Sequence, residues 1–134
     1  MRRTLLRFRH YLVILGRAGS VPLPANLADP LRAPLEDVRS AAVTYLLASA
    51  DALRAEGAPP SIEAVTAALE GYSSVTVRLR QGGETRSLPG DVTERFFALG
   101  FALEQLAQNC RDLERCVSEW EVATTWSSKG WEIV

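Results

Sequence analysis

Histidine and cysteine are almost missing from this 134-residue chain, which has one histidine, His10, and two cysteines, Cys110 and Cys116. Metal centres and nucleophilic triads are built from clusters of these residues with carboxylates beside them, so such chemistry has almost nothing to draw on here. His10 sits between Arg9 and Tyr11 with no second histidine, cysteine or acid nearby, and reads as a solvated surface side chain. The two cysteines are six residues apart. On a helix that spacing turns them roughly 120° from each other, so they are expected as two reduced thiols, one core-facing and one flanking. That usage fits a reducing compartment.

Long apolar runs are also lacking. The opening Met1-Arg2-Arg3-Thr4-Leu5-Leu6-Arg7 looks superficially like a twin-arginine export signal, but the apolar stretch behind it is only Tyr11 to Leu15 and runs into Arg17. That is too short and too charged for a signal core, and no run approaches the ~20 residues of a membrane span. The glycine motifs are equally bare. Gly16-Arg17-Ala18-Gly19-Ser20 lacks the Gly-Lys-Ser/Thr ending of a phosphate loop, and Gly71-Tyr72-Ser73-Ser74 does not complete a nucleophile elbow. Neither an enzyme nor a bound cofactor or metal is expected.

What is present is an ordinary globular composition, 47% hydrophobic and 23% charged, in a chain of single-domain length. The net charge of −1 hides an asymmetry. Residues 1–33 carry six arginines against one acid, a net +5, while the rest carries nine basic and fifteen acidic groups, a net −6. A wholly basic nucleic-acid binder is therefore not expected. The basic front end, with Arg2, Arg3, Arg7 and Arg9, suits an anionic surface such as a phospholipid headgroup layer.

Apolar spacing organises the chain into helices. Leu5, Phe8, Leu12 and Leu15, widened by Leu6, Val13 and Ile14, predict a first amphipathic helix. Four prolines over residues 20–34 predict an irregular connector. A second helix is expected from about Pro34, with Leu35, Val38, Ala42, Tyr45, Ser49 and Ala52 as its seam and Gly57-Ala58-Pro59-Pro60 as its stop. For the third segment the seam Ile62, Val65, Leu69, Tyr72, Thr76 and Leu79 argues helix, whereas the alternation over 73–80 argues strand. No second strand offers a partner, so helix to about residue 81 is preferred. Gln81-Gly82-Gly83-Glu84 marks a turn, and Asp91 with Glu94 resembles a capping box.

Phe96, Leu99, Leu103, Leu106, Cys110, Leu113, Val117 and Trp120 then alternate steps of three and four without a break, predicting a long last helix. The expectation is an all-α chain: an antiparallel four-helix bundle over residues 1–122, followed by a tail over 123–134. Within the long helix Phe96, Leu99, Gly100, Leu103 and Leu106 are the candidate helix–helix contacts through which the chain self-associates. Gly100 costs about 1 kcal/mol against alanine in a helix, which suits a close approach by another helix. Glu104, Gln105, Gln108, Asn109 and Asp112 form a candidate polar functional face, expected to serve transport or partner contact ahead of catalysis.

The run Leu88-Pro89-Gly90-Asp91-Val92-Thr93-Glu94-Arg95-Phe96-Phe97-Ala98-Leu99-Gly100-Phe101-Ala102-Leu103-Glu104-Gln105-Leu106, followed by Asn109, Arg111, Asp112 and Leu113, resembles the cytoplasmic helical region of the FUSC family. These are bacterial inner-membrane proteins of the fusaric-acid-resistance and aromatic-acid-exporter type. The resemblance implies a helical, self-associating, non-catalytic domain on the cytoplasmic side of the inner membrane, with the membrane-spanning segments of a parent protein as partner. Spans of that kind do not occur in this sequence, so the chain is expected to be either an excised portion or a stand-alone relative. The alternative is a free-standing cytosolic adaptor that binds another protein or an anionic surface.

Overall fold

The computed structural model describes residues 2–55 and 57–129, and every regular element in them is helical. The helices are α1 (Arg2–Ala18), α2 (Ala25–Ala55), α3 (Glu63–Gln81) and α4 (Gly90–Lys129). Short connections make successive helices antiparallel, and α4 is the central one. It packs against all three others, most extensively against α1, while α2 packs chiefly on α3. The direction of α1 against α4 is fixed by two pairs: Thr4 Oγ1 lies 3.4 Å from Cys116 Sγ, and Arg7 reaches Asp112 at 3.8 Å.

The long seam of α4 forms the core. Phe96, Leu99, Leu103, Leu106, Cys110, Leu113 and Val117 are all buried, joined by Val38, Ala42 and Tyr45 of α2 and Val65 and Tyr72 of α3. Trp120, the last member of the seam, is 47% exposed because α4 there runs past the ends of its neighbours. The helix continues to Lys129, through the first part of the expected tail; residues 130–134 lie outside the described residues. Residues 73–80 are helical, as the unbroken spacing of Tyr72, Thr76 and Leu79 predicts.

Three expectations need correction. The connector expected over 20–34 occupies only residues 19–24, and α2 starts at Ala25 with Pro30 and Pro34 inside it. Leu27 and Leu31 extend the Val38 seam backward and are completely buried, each worth about 1.5–3 kcal/mol. The carbonyls that lose their donors to the two prolines belong to Asn26 and Pro30, both exposed residues, so the missing bonds do not leave buried polar groups unsatisfied.

The second concerns α1, whose inward stripe is Thr4, Phe8, Tyr11 and Leu15 rather than the Leu5–Leu12 stripe. Leu5 and Leu12 are left nearly half exposed. The surface of α4 that receives α1 carries Asp112 and Cys116, and a rotation that offers it Arg7 and Thr4 gives those two groups partners. Finally, α4 begins at Gly90, so Asp91 lies inside its first turn and bonds Arg95 at 3.1 Å instead of completing a capping box with Glu94. The Pro89 carbonyl accepts the Val92 and Thr93 N–H groups there.

Candidate functional site

The five candidate contact residues lie within the fold itself. Phe96, Leu99, Leu103 and Leu106 are buried among α2, α3 and α1 of the same chain. Gly100 faces α3, where a methyl group added to it would come to 4.0 Å from the Tyr72 hydroxyl. None of these side chains is offered to a second molecule.

The candidate polar face divides in two. Glu104 and Gln108 are exposed on the outer side of α4, away from the core. Gln105, Asn109 and Asp112 turn toward α1 instead. Asn109 is only 3% exposed, and its amide donates to the Gln105 carbonyl at 2.8 Å, a bond that satisfies a buried polar group within one turn. Asp112 accepts the Arg7 pair at 3.8 Å and is bonded by Gln108 and Arg115 at 3.4 and 3.5 Å. These five residues therefore do not converge on one point in space.

Arg2, Arg3, Arg7 and Arg9 are all exposed on α1, but Arg7 is engaged by Asp112. The outer surface of α1 also exposes Leu5, Leu6, Leu12, Val13 and Ile14, so the arginines are interleaved with large apolar side chains. Periodicity in the sequence pointed all of these apolar residues inward. A single neighbouring helix covers only one side of α1, and Phe8 is its sole buried residue.

A second unpartnered surface runs along the outer side of α4, where Phe97 and Phe101 stand 47% and 62% exposed. Arg80 of α3 lies over the Phe97 ring at 5.6 Å. Sequence reasoning missed this surface because the core seam and the outer stripe have the same spacing. Only the two phenylalanines outside the seam, one step from Phe96 and Gly100, could have signalled it.

Two grooves border these surfaces. One, of about 570 Å³, separates α1 from α2 above Leu99, Leu103 and Leu106 and is walled mainly by leucine, valine and alanine. Arg95 lines it with one Nη on Asp91 and a buried Nε that has no partner. The other, of about 510 Å³, lies between α3 and α4 around Tyr72, Gly100 and Glu104, and its Tyr72 hydroxyl is likewise buried with no hydrogen-bond partner among the described residues.

Burial governs the titratable groups inside. It pushes the Cys110 thiol up to about 11 and the Tyr45 phenol up to about 12. Both groups are neutral at physiological pH. Among the described residues no three of His, Cys, Asp and Glu gather where they could hold a metal ion, and no helix is long and apolar enough to cross a membrane. Comparison of the chain with protein-family models, with curated proteins and with solved structures finds no match.

Proposed function

We propose that this chain is a non-catalytic helical assembly domain that lies against the cytoplasmic face of a bacterial inner membrane, as part of or beside an efflux transporter of the FUSC type. The observation that carries the reading is the outer surface of α1. Five large apolar side chains are exposed there among Arg2, Arg3 and Arg9. In water such a surface is a liability, whereas at an anionic bilayer the leucines enter the headgroup boundary and the arginines meet phosphates. The sequence resemblance over Leu88–Leu113 supplies the family, and the net +5 of residues 1–33 supplies the charge.

Fractionation of the source cells, probed with an antibody to this domain, tests the reading. The expected result is a membrane-fraction band, several times heavier than 14.7 kDa if the domain belongs to a larger transporter. A band near 14.7 kDa confined to the cytosol removes the transporter reading. The exposed Phe97 and Phe101 favour the second reading in that event, a cytosolic adaptor that binds protein through α4.

A further inference from the structure

The outer stripe of α4 has a property that a surface adapted only to solvent does not need. From Phe97 it passes through Phe101, Glu104, Gln108, Arg111, Arg115 and Ser118 to Val122, alternating steps of four and three. That is the spacing of a coiled-coil seam, on a side of the helix left largely exposed, with α3 reaching only its edge where Arg80 lies over Phe97. The stripe is apolar at both ends, with Phe97 and Phe101 at one and Val122 and Trp126, 56% and 75% exposed, at the other. Its middle is charged and polar.

We propose that a second copy of this chain occupies this stripe, the two α4 helices running antiparallel about a two-fold axis at the level of residues 109–110. In that register every position of the stripe meets another position of the stripe. Phe97 faces Val122 of the second copy, Phe101 faces Ser118, Glu104 faces Arg115, and Gln108 faces Arg111. The symmetry repeats each pair, so the interface holds two Glu104–Arg115 ion pairs and apolar contacts at both ends. Among the described residues Glu104 has no ion pair within its own chain, and Arg115 is 70% exposed with one 3.5 Å contact to Asp112, a carboxylate it shares with Arg7, so both can reach outward.

Charge selects this register over its neighbour. Sliding the helices by one turn would set Phe97 against Trp126 and Phe101 against Val122, a good apolar match, but it would bring Glu104 against Glu119 of the second copy twice, and the Arg111–Asp112 contacts it would offer in return fall on a carboxylate that Arg7, Gln108 and Arg115 already contact in its own chain. The contact extends from Phe97 to Val122 on each copy, about 38 Å of helix at 1.5 Å per residue. Val77 and Arg80 of α3 flank it and widen the buried strip.

The proposal rests on the assembly reading in that it names the face through which the domain self-associates, but the two are tested separately. Fractionation decides where the protein resides; sedimentation of the purified 134-residue chain decides the dimer. The expected result is a reversible monomer–dimer equilibrium. Glu104→Arg and Arg115→Glu should each weaken it by about tenfold or more, because each sets like charges face to face.

An equimolar mixture of the two variants should associate as a heterodimer close to wild-type strength, since one native Glu104–Arg115 pair is then kept and the other is restored with its signs exchanged. Phe101→Asp should leave only monomer. Circular dichroism of each variant, all altered at exposed positions, confirms that the fold is intact. A chain that stays monomeric to about 1 mM overturns the proposal. So does an association that neither charge variant weakens, or a mixture that associates no better than its components.

Discussion

The Tyr45 hydroxyl donates a buried 2.9 Å hydrogen bond to the main-chain carbonyl of Cys110, tying the middle of α2 to the middle of α4. The Cys110 carbonyl stands inside a helix, so it accepts this bond in addition to one from its own helix. One turn further along α2, Ser49 donates to the Tyr45 carbonyl at 2.8 Å, which satisfies a hydroxyl that is only 2% exposed. The two bonds give a mostly apolar interface a fixed register. Tyr45→Phe removes the donor but leaves the carbonyl its helical partner, so the loss should be modest, about 0.5–1.5 kcal/mol. Tyr45→Ala also opens a cavity and should cost about 3–5 kcal/mol, by analogy with other buried aromatics. Urea titrations of the two variants measure the difference; equal losses would mean that the hydroxyl, not the ring, carries the contribution of Tyr45.

The thiols should separate by reactivity. Cys110 is buried with its pKa pushed up to about 11, whereas Cys116 is partly exposed. The thiolate is the reactive species, so a disulfide reagent should label Cys116 in the native protein and reach Cys110 only on unfolding. The same burial gives the fold an alkaline limit. A thiol that ionises near 9.0 when unfolded and near 11 when folded contributes stability that is complete below pH 9 and is lost as pH rises through 11. Tyr45, raised from 10.0 to about 12, extends the loss to higher pH. Thermal midpoints should therefore fall from about pH 9 upward, and Cys110→Ala should flatten the first part of that fall. A pH-independent midpoint between 9 and 12 would contradict the assignment of these two groups.

Gly100 and Tyr72 make a second checkable pair. The gap between them is wide enough for one methyl group, which would sit 4.0 Å from the Tyr72 hydroxyl in ordinary contact. Gly100→Ala should then raise stability by up to about 1 kcal/mol through helix propensity alone. Gly100→Leu drives four carbons toward the α3–α4 interface and should be destabilising by about 1–3 kcal/mol. Tyr72→Phe removes a buried hydroxyl that has no partner and should be neutral or stabilising. Melting curves for the three variants decide it, and a destabilising Gly100→Ala would show that α3 and α4 are closer than the Tyr72 contact implies.

What was legible in the sequence follows from which side chains had a single place to go. The seven seam positions from Phe96 to Val117 are buried because a helix with that spacing has one face to offer and three neighbours to fill it. Val38, Ala42, Tyr45, Ser49 and Ala52 fall on the core side of α2 for the same reason. The start of α2 was not legible because proline is read as a breaker from local geometry, while the burial of Leu27 and Leu31 is a tertiary effect that local rules do not see. The orientation of α1 failed differently: its apolar stripe is broad, and only the edge that carries Phe8 and Leu15 meets α4, leaving Leu5, Leu6, Leu12 and Val13 outside the contact. The candidate polar face was read as one surface because spacing alone does not say where a neighbouring helix will sit. Asn109 and Asp112 lie under α1, and Glu104 and Gln108 do not.

Membrane docking through α1 makes a prediction in which charge and apolar contact separate. Arg7 lies 3.8 Å from Asp112 on the α4 side, so Arg2, Arg3 and Arg9, with Arg17 in the last turn, supply the free charge of this helix toward its outer side, Leu6 and Val13 lying between them. Sedimentation with vesicles rich in phosphatidylglycerol should show binding that weakens as salt is raised, because each arginine near an anionic surface contributes about 1 kcal/mol within a Debye length of ~8–10 Å. Replacing Arg2, Arg3 and Arg9 with glutamine should remove most of the salt-sensitive part, Arg17 keeping the remainder, and leave a weak residue of binding. Leu6→Ser with Val13→Ser should lower binding at every salt concentration while keeping its salt dependence. Arg7→Gln alone should cost at most about 1 kcal/mol of stability, since the exposed pair is weak and Asp112 keeps Gln108 and Arg115, and should act only weakly on vesicle binding. If Arg7 proves as important as the other three, α1 leaves α4 when it meets the membrane, and Phe8, the residue that anchors it to the core, becomes part of the surface that enters the lipid.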